Sequence, residues 1–207
     1  PRNREQKLTA LREVLKKEGA DYLLTSKLDD IAWIFNLRGS DVPDNPVFYA
    51  YSLIPAKGNA TLFINEEKVP ADLKEQLAEE GVVLAPYHSV GAALASLSSG
   101  TVLADPEEIN ASLLSRLPEQ ITQLELPNPI ELMKALKTPE EIELISEAML
   151  KDGVALVRFF AWLDRNLGKE EMTEQSLADK LLYFRKSLPG YISLSFETIS
   201  AFGPNAA

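Results

Sequence analysis

The 207 residues contain no cysteine and one histidine, His88. The first absence removes disulfides, thiolate zinc sites and thiol nucleophiles together, and it suits a reducing compartment. The second leaves no zinc coordination of the usual kinds and no Ser-His or Cys-His relay built on another imidazole. A lone histidine in PYHSV, between a strand and a helix, reads as a surface or capping residue. No Walker A or G-x-G-x-x-G pattern occurs, so nucleotide binding by those loops is not supported. No apolar run approaches the ~18 residues of a membrane span. The opening PRNREQKLTALREV has no signal-peptide core, and Pro1 in place of Met reads as a processed end or an expression boundary. Positive charge is scarce: 21 Lys and Arg stand against 31 Asp and Glu, a net charge of −10. Nucleic-acid affinity comes largely from neutralising phosphates with Lys and Arg, so a nucleic-acid partner is disfavoured, as is an anionic membrane. The expectation is a cytoplasmic protein kept soluble by its charge.

What is present is an ordinary globular composition, 45% hydrophobic and 25% charged. The first 127 residues alternate helix and strand signals. Asn3 with Gln6 forms a capping box for a helix carrying Leu8, Leu11 and Leu15, which Gly19 stops. DYLLT (21–25) is a short buried strand. Ser26 and Asp29 are the expected caps of a second helix with Leu28, Ile31, Ala32 and Phe35 on its apolar face. Residues 47–56 and 60–64, joined by Lys57-Gly58-Asn59, form a predicted β-hairpin. Helices at 70–80 and 89–98 alternate with strands at 82–86 and 101–105. Asp105-Pro106-Glu107-Glu108 predicts the start of a helix ending near Leu117, and residues 121–127 close the series as a strand. Strands alternating with helices imply an α/β layer architecture, and the hairpin makes the sheet mixed.

After Pro127 the pattern changes. Asn128-Pro129 opens a short helix through Leu136. Thr138-Pro139-Glu140-Glu141 then supplies an N-cap, a first-turn proline and a capping glutamate for a long helix reaching Gly168. Its apolar face comprises Ile142, Ile145, Met149, Leu156, Phe159, Phe160 and Leu163. Thr173 starts another helix with Leu177, Leu181, Phe184 and Leu188 inward, and residues 191–200 read as a terminal strand turned by Gly203-Pro204-Asn205. Two helices and one strand cannot complete a sheet domain, because a lone strand leaves its ladder groups unpaired. The expected division is therefore 1–127 as one α/β domain and 128–207 as an incomplete second one. The unpaired strand also predicts self-association.

Acidic pairs such as Asp29-Asp30, Glu107-Glu108 and Glu140-Glu141 are plentiful, but neighbours in a helix point about 100° apart and cannot jointly hold a metal. Several sit in first helical turns, where they complement the dipole. The one stretch with unusual local chemistry is WIFNLRGSDVPDNPVFYAY (33–51). There Arg38 could clamp a carboxylate, with Asp41 and Asp44 nearby, or an Arg–Asp bridge could simply stiffen the loop.

That stretch resembles the middle domain of the Xaa-Pro aminopeptidases of the creatinase/pita-bread superfamily, where W-L-x-N-L-R-G-x-D-V-x-x-N-P-V-F recurs. ALKTPEEIELISEAMLKDGVALVRFFAWLD is similar to the entry into that family's catalytic domain, and LSFETISAFGPNAA to its L-S-F-x-T-I-S-x-x-G-P-N-x-A. The resemblance covers essentially the whole chain. It implies a creatinase N-terminal-like domain with a mixed sheet flanked by helices, followed by a truncated α+β pita-bread catalytic domain. It also implies a parent enzyme that removes the residue before proline from peptides with proline at the second position. Such an enzyme uses two divalent metal ions, in that family usually manganese; the homo-oligomer expected here rests on the unpaired strand, not on the resemblance. The family's metal ligands lie beyond the FxTIS…GPN segment, so no cofactor is expected in this chain, and it should be inactive alone. By the same resemblance Phe196, Thr198, Gly203 and Asn205 are substrate-side residues, as is Arg38 from the N-L-R-G run. A non-catalytic peptide-binding module and a prolidase-type dipeptidase are the alternatives.

Overall fold

A computed structural model describes residues 2–206. It divides into two compact units, one of residues 2–42 and 46–136 and one of residues 43–45 and 137–206.

The first unit is built on six strands: β1 (Tyr22–Thr25), β2 (Ala50–Pro55), β3 (Ala60–Ile64), β4 (Val82–Pro86), β5 (Thr101–Ala104) and β6 (Thr122–Glu125). They lie in the order β4-β3-β2-β1-β5-β6. β2 runs antiparallel to both its neighbours, and every other pairing is parallel. The first strand of the predicted hairpin, β2, is thus the one antiparallel strand of a mixed sheet. Five strands consequently deliver their carboxyl ends to one edge, together with the start of β2. Such an edge is where open α/β sheets present their binding groups.

Successive strand residues face opposite sides, so the chain fills two cores at once. Leu23, Ile54 and Leu62 pack with Leu8, Leu11 and Leu15 of α1 (Arg4–Glu18) and with Ile31, Ile34 and Phe35 of α2 (Leu28–Phe35). Leu77 of α3 (Ala71–Glu79) and Ile130 of α6 (Pro129–Ala135) complete that layer. Leu24, Leu53, Phe63 and Val102 meet Leu94 of α4 (Val90–Ala95) and Leu113 of α5 (Ala111–Leu114) on the other side. Each of these side chains is almost wholly excluded from water, and such burial contributes roughly 1.5–3 kcal/mol apiece.

The capping box at Asn3 and Gln6 forms as its spacing predicts, and Gly19 closes α1 in the left-handed conformation at φ 70°. Two basic residues of α1 are buried for a further reason. The Arg4 guanidinium donates to the Phe35 carbonyl at 2.6 Å, and Lys7 donates to the Trp33 carbonyl at 2.7 Å. Both thereby satisfy the last turn of α2, where free carbonyls and the negative end of the helix dipole favour cations.

Two predicted starts are corrected. α2 begins after Lys27 with no side-chain cap. Ser26 instead donates to the Glu108 carbonyl at 2.8 Å, and Asp29 contacts Lys134. The helix expected from Asp105 to Leu117 shrinks to α5, capped by Asn110. Asp105 accepts from the Glu107 N–H at 2.9 Å, as a cap would, and from the Asn128 N–H at 2.9 Å, but it caps only a turn, and Asn110 starts the helix. α6, read from the sequence with the second domain, sits in this first unit, with Asn128 and Ile130 buried.

The second unit holds α7 (Pro139–Asn166), one 28-residue helix, and α8 (Glu174–Lys186). Both start on capping boxes, Thr138 with Glu141 and Thr173 with Ser176. The helices pack antiparallel through Ala155, Phe159 and Leu181, and Arg185 forks the Asp152 carboxylate at 2.6 and 3.2 Å. The predicted strand at 191–200 is not formed: the segment is irregular and Gly203–Ala206 is a 3-10 turn. With no neighbouring strand to complete a ladder, extended backbone has nothing to hold it. The unpaired edge on which the expectation of self-association rests is absent with it. Among the described residues, no helix is long and apolar enough to cross a membrane.

Candidate functional site

The WIFNLRGSDVPDNPVF stretch forms a loop between α2 and β2, braced by its own backbone. Asn36 ends α2 in the left-handed conformation at φ 51°. The Gly39 N–H donates to the Pro46 carbonyl at 3.2 Å and the Asp41 N–H to the Val47 carbonyl at 3.1 Å. Gly39 is required by proximity, because a Cβ there would lie 2.7 Å from the Phe48 Cβ and 3.0 Å from the Val47 carbonyl oxygen. The Asp41 carboxylate accepts from the Tyr49 N–H at 2.8 Å and pairs with Lys68 at 2.7 Å. The Lys68 ammonium first, and then the Tyr49 N–H, hold that carboxyl below its ordinary pKa.

Of the two readings, the Arg–Asp bridge does not form: Asp41 pairs with Lys68, which ties the loop to the turn that follows β3. Arg38 is exposed and has no hydrogen-bond or ion-pair partner among the described residues of its unit. A guanidinium left free in a rigid loop is available to a carboxylate.

The remaining candidates from the sequence lie in the second unit. Phe196 is 68% exposed, and Thr198 is half-buried. Gly203 and Asn205 share the 3-10 turn. Glu174, in the first turn of α8, holds that turn: its carboxylate accepts from the Phe202 N–H at 2.6 Å and from the Asn205 amide at 3.2 Å. Four of the five candidates thus fall within one irregular segment, and one helix terminus anchors its end.

At the carboxyl ends of β1 and β5 lies a polar cluster that sequence reading missed. Asn128 is buried, and its amide donates to Thr25 Oγ1 at 3.2 Å, to Asp30 at 3.0 Å and to Glu108 at 3.0 Å. Asp30, Glu108 and Glu131 bring their carboxylate oxygens within 4.8 Å of one another, a spacing compatible with a cation. The cations already there are ammonium groups. Lys134 bridges Asp29 and Asp30, and Lys27 bridges Glu108 and Glu131. Burial raises the Asp30 pKa despite the Lys134 contact. Burial works against ionisation of Asp29 too, but the Lys134 hydrogen bond and charge lower its pKa overall. The Lys134 ammonium, against its own burial, is held charged by the two aspartates. Two lysines and one amide satisfy this donor set, so the carboxylates do not fit a divalent ion. Every partner is 20 to 105 residues away in sequence, which is why adjacent-pair reasoning could not find them.

A model of the creatinase/prolidase N-terminal domain matches residues 2–141. The chain belongs to that family. The match takes in the whole six-stranded unit, the N-L-R-G loop and the capped first turn of α7. Among curated proteins, the chain is 37% identical to the probable Xaa-Pro aminopeptidase P of Sordaria macrospora, over 98% of its own length and 35% of the relative's. It is 36% identical to that of Neurospora crassa, over 98% and 31%. The chain therefore spans about a third of the length of these relatives. Among solved structures it superposes on the X-prolyl aminopeptidase of Caenorhabditis elegans, which is described as a cytosolic enzyme with a di-nuclear active site. The TM-score is 0.88 at 30% identity, over 97% of this chain and 34% of that one. The prolidase of Thermococcus sibiricus shares the fold, at a TM-score of 0.67 and 18% identity over 95% of this chain and 53% of that one.

Proposed function

We propose that this chain is the middle domain and the opening of the catalytic domain of an Xaa-Pro aminopeptidase. The observation that carries this reading is its 36–38% identity to probable Xaa-Pro aminopeptidases P across 98% of its length. The substrates are peptides with proline second, and the bond broken is the one before that proline. In the intact enzyme two divalent ions, manganese on this reading, would supply a hydroxide source near neutral pH and polarisation of the scissile carbonyl. On the family resemblance the metal ligands lie outside these 207 residues, and the acidic cluster at Asp30, filled by lysines, does not supply them. The residues this chain contributes are substrate-side. Arg38 offers a free guanidinium to a peptide carboxylate, while Phe196, Thr198, Gly203 and Asn205 form part of the pocket wall. The enzyme is cytoplasmic.

The test compares the 207-residue chain with the protein encoded by its complete gene, each assayed with manganese on Xaa-Pro and Xaa-Pro-Xaa peptides. The expected result is release of the first residue from the tripeptide by the complete protein and none by the 207-residue chain. Cleavage of dipeptides alone would instead make it a prolidase-type enzyme. No cleavage of either, with no metal-ligand set in the gene, would leave a peptide-binding module.

A further inference from the structure

At the carboxyl ends of β3 and β4 the surface folds into a cleft of about 730 Å³. This lies within the roughly 300–1,000 Å³ range of ligand sites. Tyr49 and Tyr87 line it, with buried Ile64 and exposed Pro86 beside them. Tyr87 is held in place: its ring lies 5.0 Å from that of Tyr51 and meets His88 edge-on at 5.2 Å. Burial, with a hydrogen bond to Tyr51, pushes its pKa up to about 12, so the phenol keeps its proton.

The charges at the cleft are unequal in availability. Lys68 is taken by Asp41 at 2.7 Å, and Glu66 meets Lys74 at 3.9 Å. Glu67 lines the cleft, is exposed, and has no cationic partner among the described residues. The cleft therefore offers two tyrosines and a free carboxylate, while its lysine is neutralised. Ring faces attract cations, and a planar guanidinium both stacks on a phenol and forks a carboxylate, which an ammonium does less well. The cleft is also larger than one guanidinium, leaving room for the backbone on either side. A chain of net charge −10 draws basic segments toward it.

We propose that this cleft binds an arginine side chain presented by a basic peptide, the guanidinium lying on Tyr87 and Tyr49 and bridging to Glu67. The site belongs wholly to the first unit and holds whether or not the aminopeptidase reading does.

The experiment is a titration of the ¹⁵N-labelled 207-residue chain with acetyl-Gly-Arg-Gly-amide, its Gln counterpart and arginine amide. The arginine peptide is expected to shift the Tyr49, Glu67 and His88 amides with a Kd on the order of 0.1–1 mM, and the Gln peptide to bind about tenfold more weakly. Glu67→Gln should weaken the arginine peptide about fivefold and Tyr87→Leu about threefold, with retained amide dispersion showing that each variant is folded. Equal binding of the Gln peptide, shifts confined to other surfaces, or no shift at ~10 mM peptide would each overturn the proposal. Arginine amide binding as tightly as the peptide would overturn the peptide assignment in favour of a small cation.

Discussion

The Asn128 amide nitrogen lies 3.0 Å from the Asp30 carboxylate, joining residues 98 positions apart. It links the start of α6 to the first turn of α2 inside a region closed to water. Asn128 also caps α6, its side-chain oxygen accepting from the Ile130 N–H at 3.1 Å. Replacement by alanine removes the cap and strips a donor from Asp30, Glu108 and Thr25 at once. Hydrogen bonds to charged groups contribute about 1.5–3 kcal/mol and a cap about 1. Asn128→Ala is expected to destabilise the first unit by about 2–4 kcal/mol. Urea unfolding followed through Trp33 fluorescence in a Trp162→Phe background reports that unit alone.

A second expectation concerns pH. Asp30 is faced by Lys134, Asp29, Asn128, Lys27 and, through Lys27, Glu108 and Glu131. Its folded pKa is already raised by burial. Lys134→Met removes the cation and leaves Asp29 as a like charge beside a buried carboxylate, so the folded pKa must rise further. A raised carboxyl pKa means that the folded state binds its proton first, so stability increases as pH falls through that value. Lys134→Met should therefore cost about 3–5 kcal/mol near pH 8 and markedly less near pH 4. A loss independent of pH between those limits would show that the methylene stem of Lys134, not its charge, holds the site.

Much of the fold was legible because local chemistry decided it. The capping residues Asn3, Thr138 and Thr173 each act on a backbone N–H within three positions, so spacing alone locates them. The strands were legible as short apolar runs. What escaped was everything decided at a distance. Ser26 and Asp105 have the composition of helix caps, but tertiary partners at Glu108 and Asn128 engage them. Arg4 and Lys7 look like solvated helix residues, yet α2 offers them its terminal carbonyls. Arg38 was visible as a motif, whereas the identity of Asp41's partner required knowing that Lys68 returns to the same strand ends.

Gly39 tests the rigidity of the N-L-R-G loop. A methyl group there meets the Phe48 Cβ at 2.7 Å, a distance that forces the loop or β2 to shift. Overpacking of this kind typically costs about 1–3 kcal/mol. Gly39→Ala is expected to lose that much and to displace the Tyr49 amide resonance, since Tyr49 is fixed through Asp41. Gly19→Ala is the control, because its Cβ would meet nothing within 4 Å and only the positive φ is strained. It should leave Tyr49 unmoved.

Arg38 separates a structural from a functional role. Its side chain is exposed and unpaired in its unit, so Arg38→Ala should change stability by no more than about 0.5 kcal/mol. If the guanidinium binds a substrate carboxylate in the complete enzyme, removing it costs one charge-assisted contact. KM for an Xaa-Pro-Xaa tripeptide should then rise about tenfold with kcat little altered, the pattern of lost binding shared by ground and transition states. Arg38→Lys should recover part of the loss, because an ammonium keeps the charge but cannot fork a carboxylate. An unchanged KM in Arg38→Ala would remove Arg38 from the substrate side and leave the loop a purely architectural element around Gly39 and Asp41.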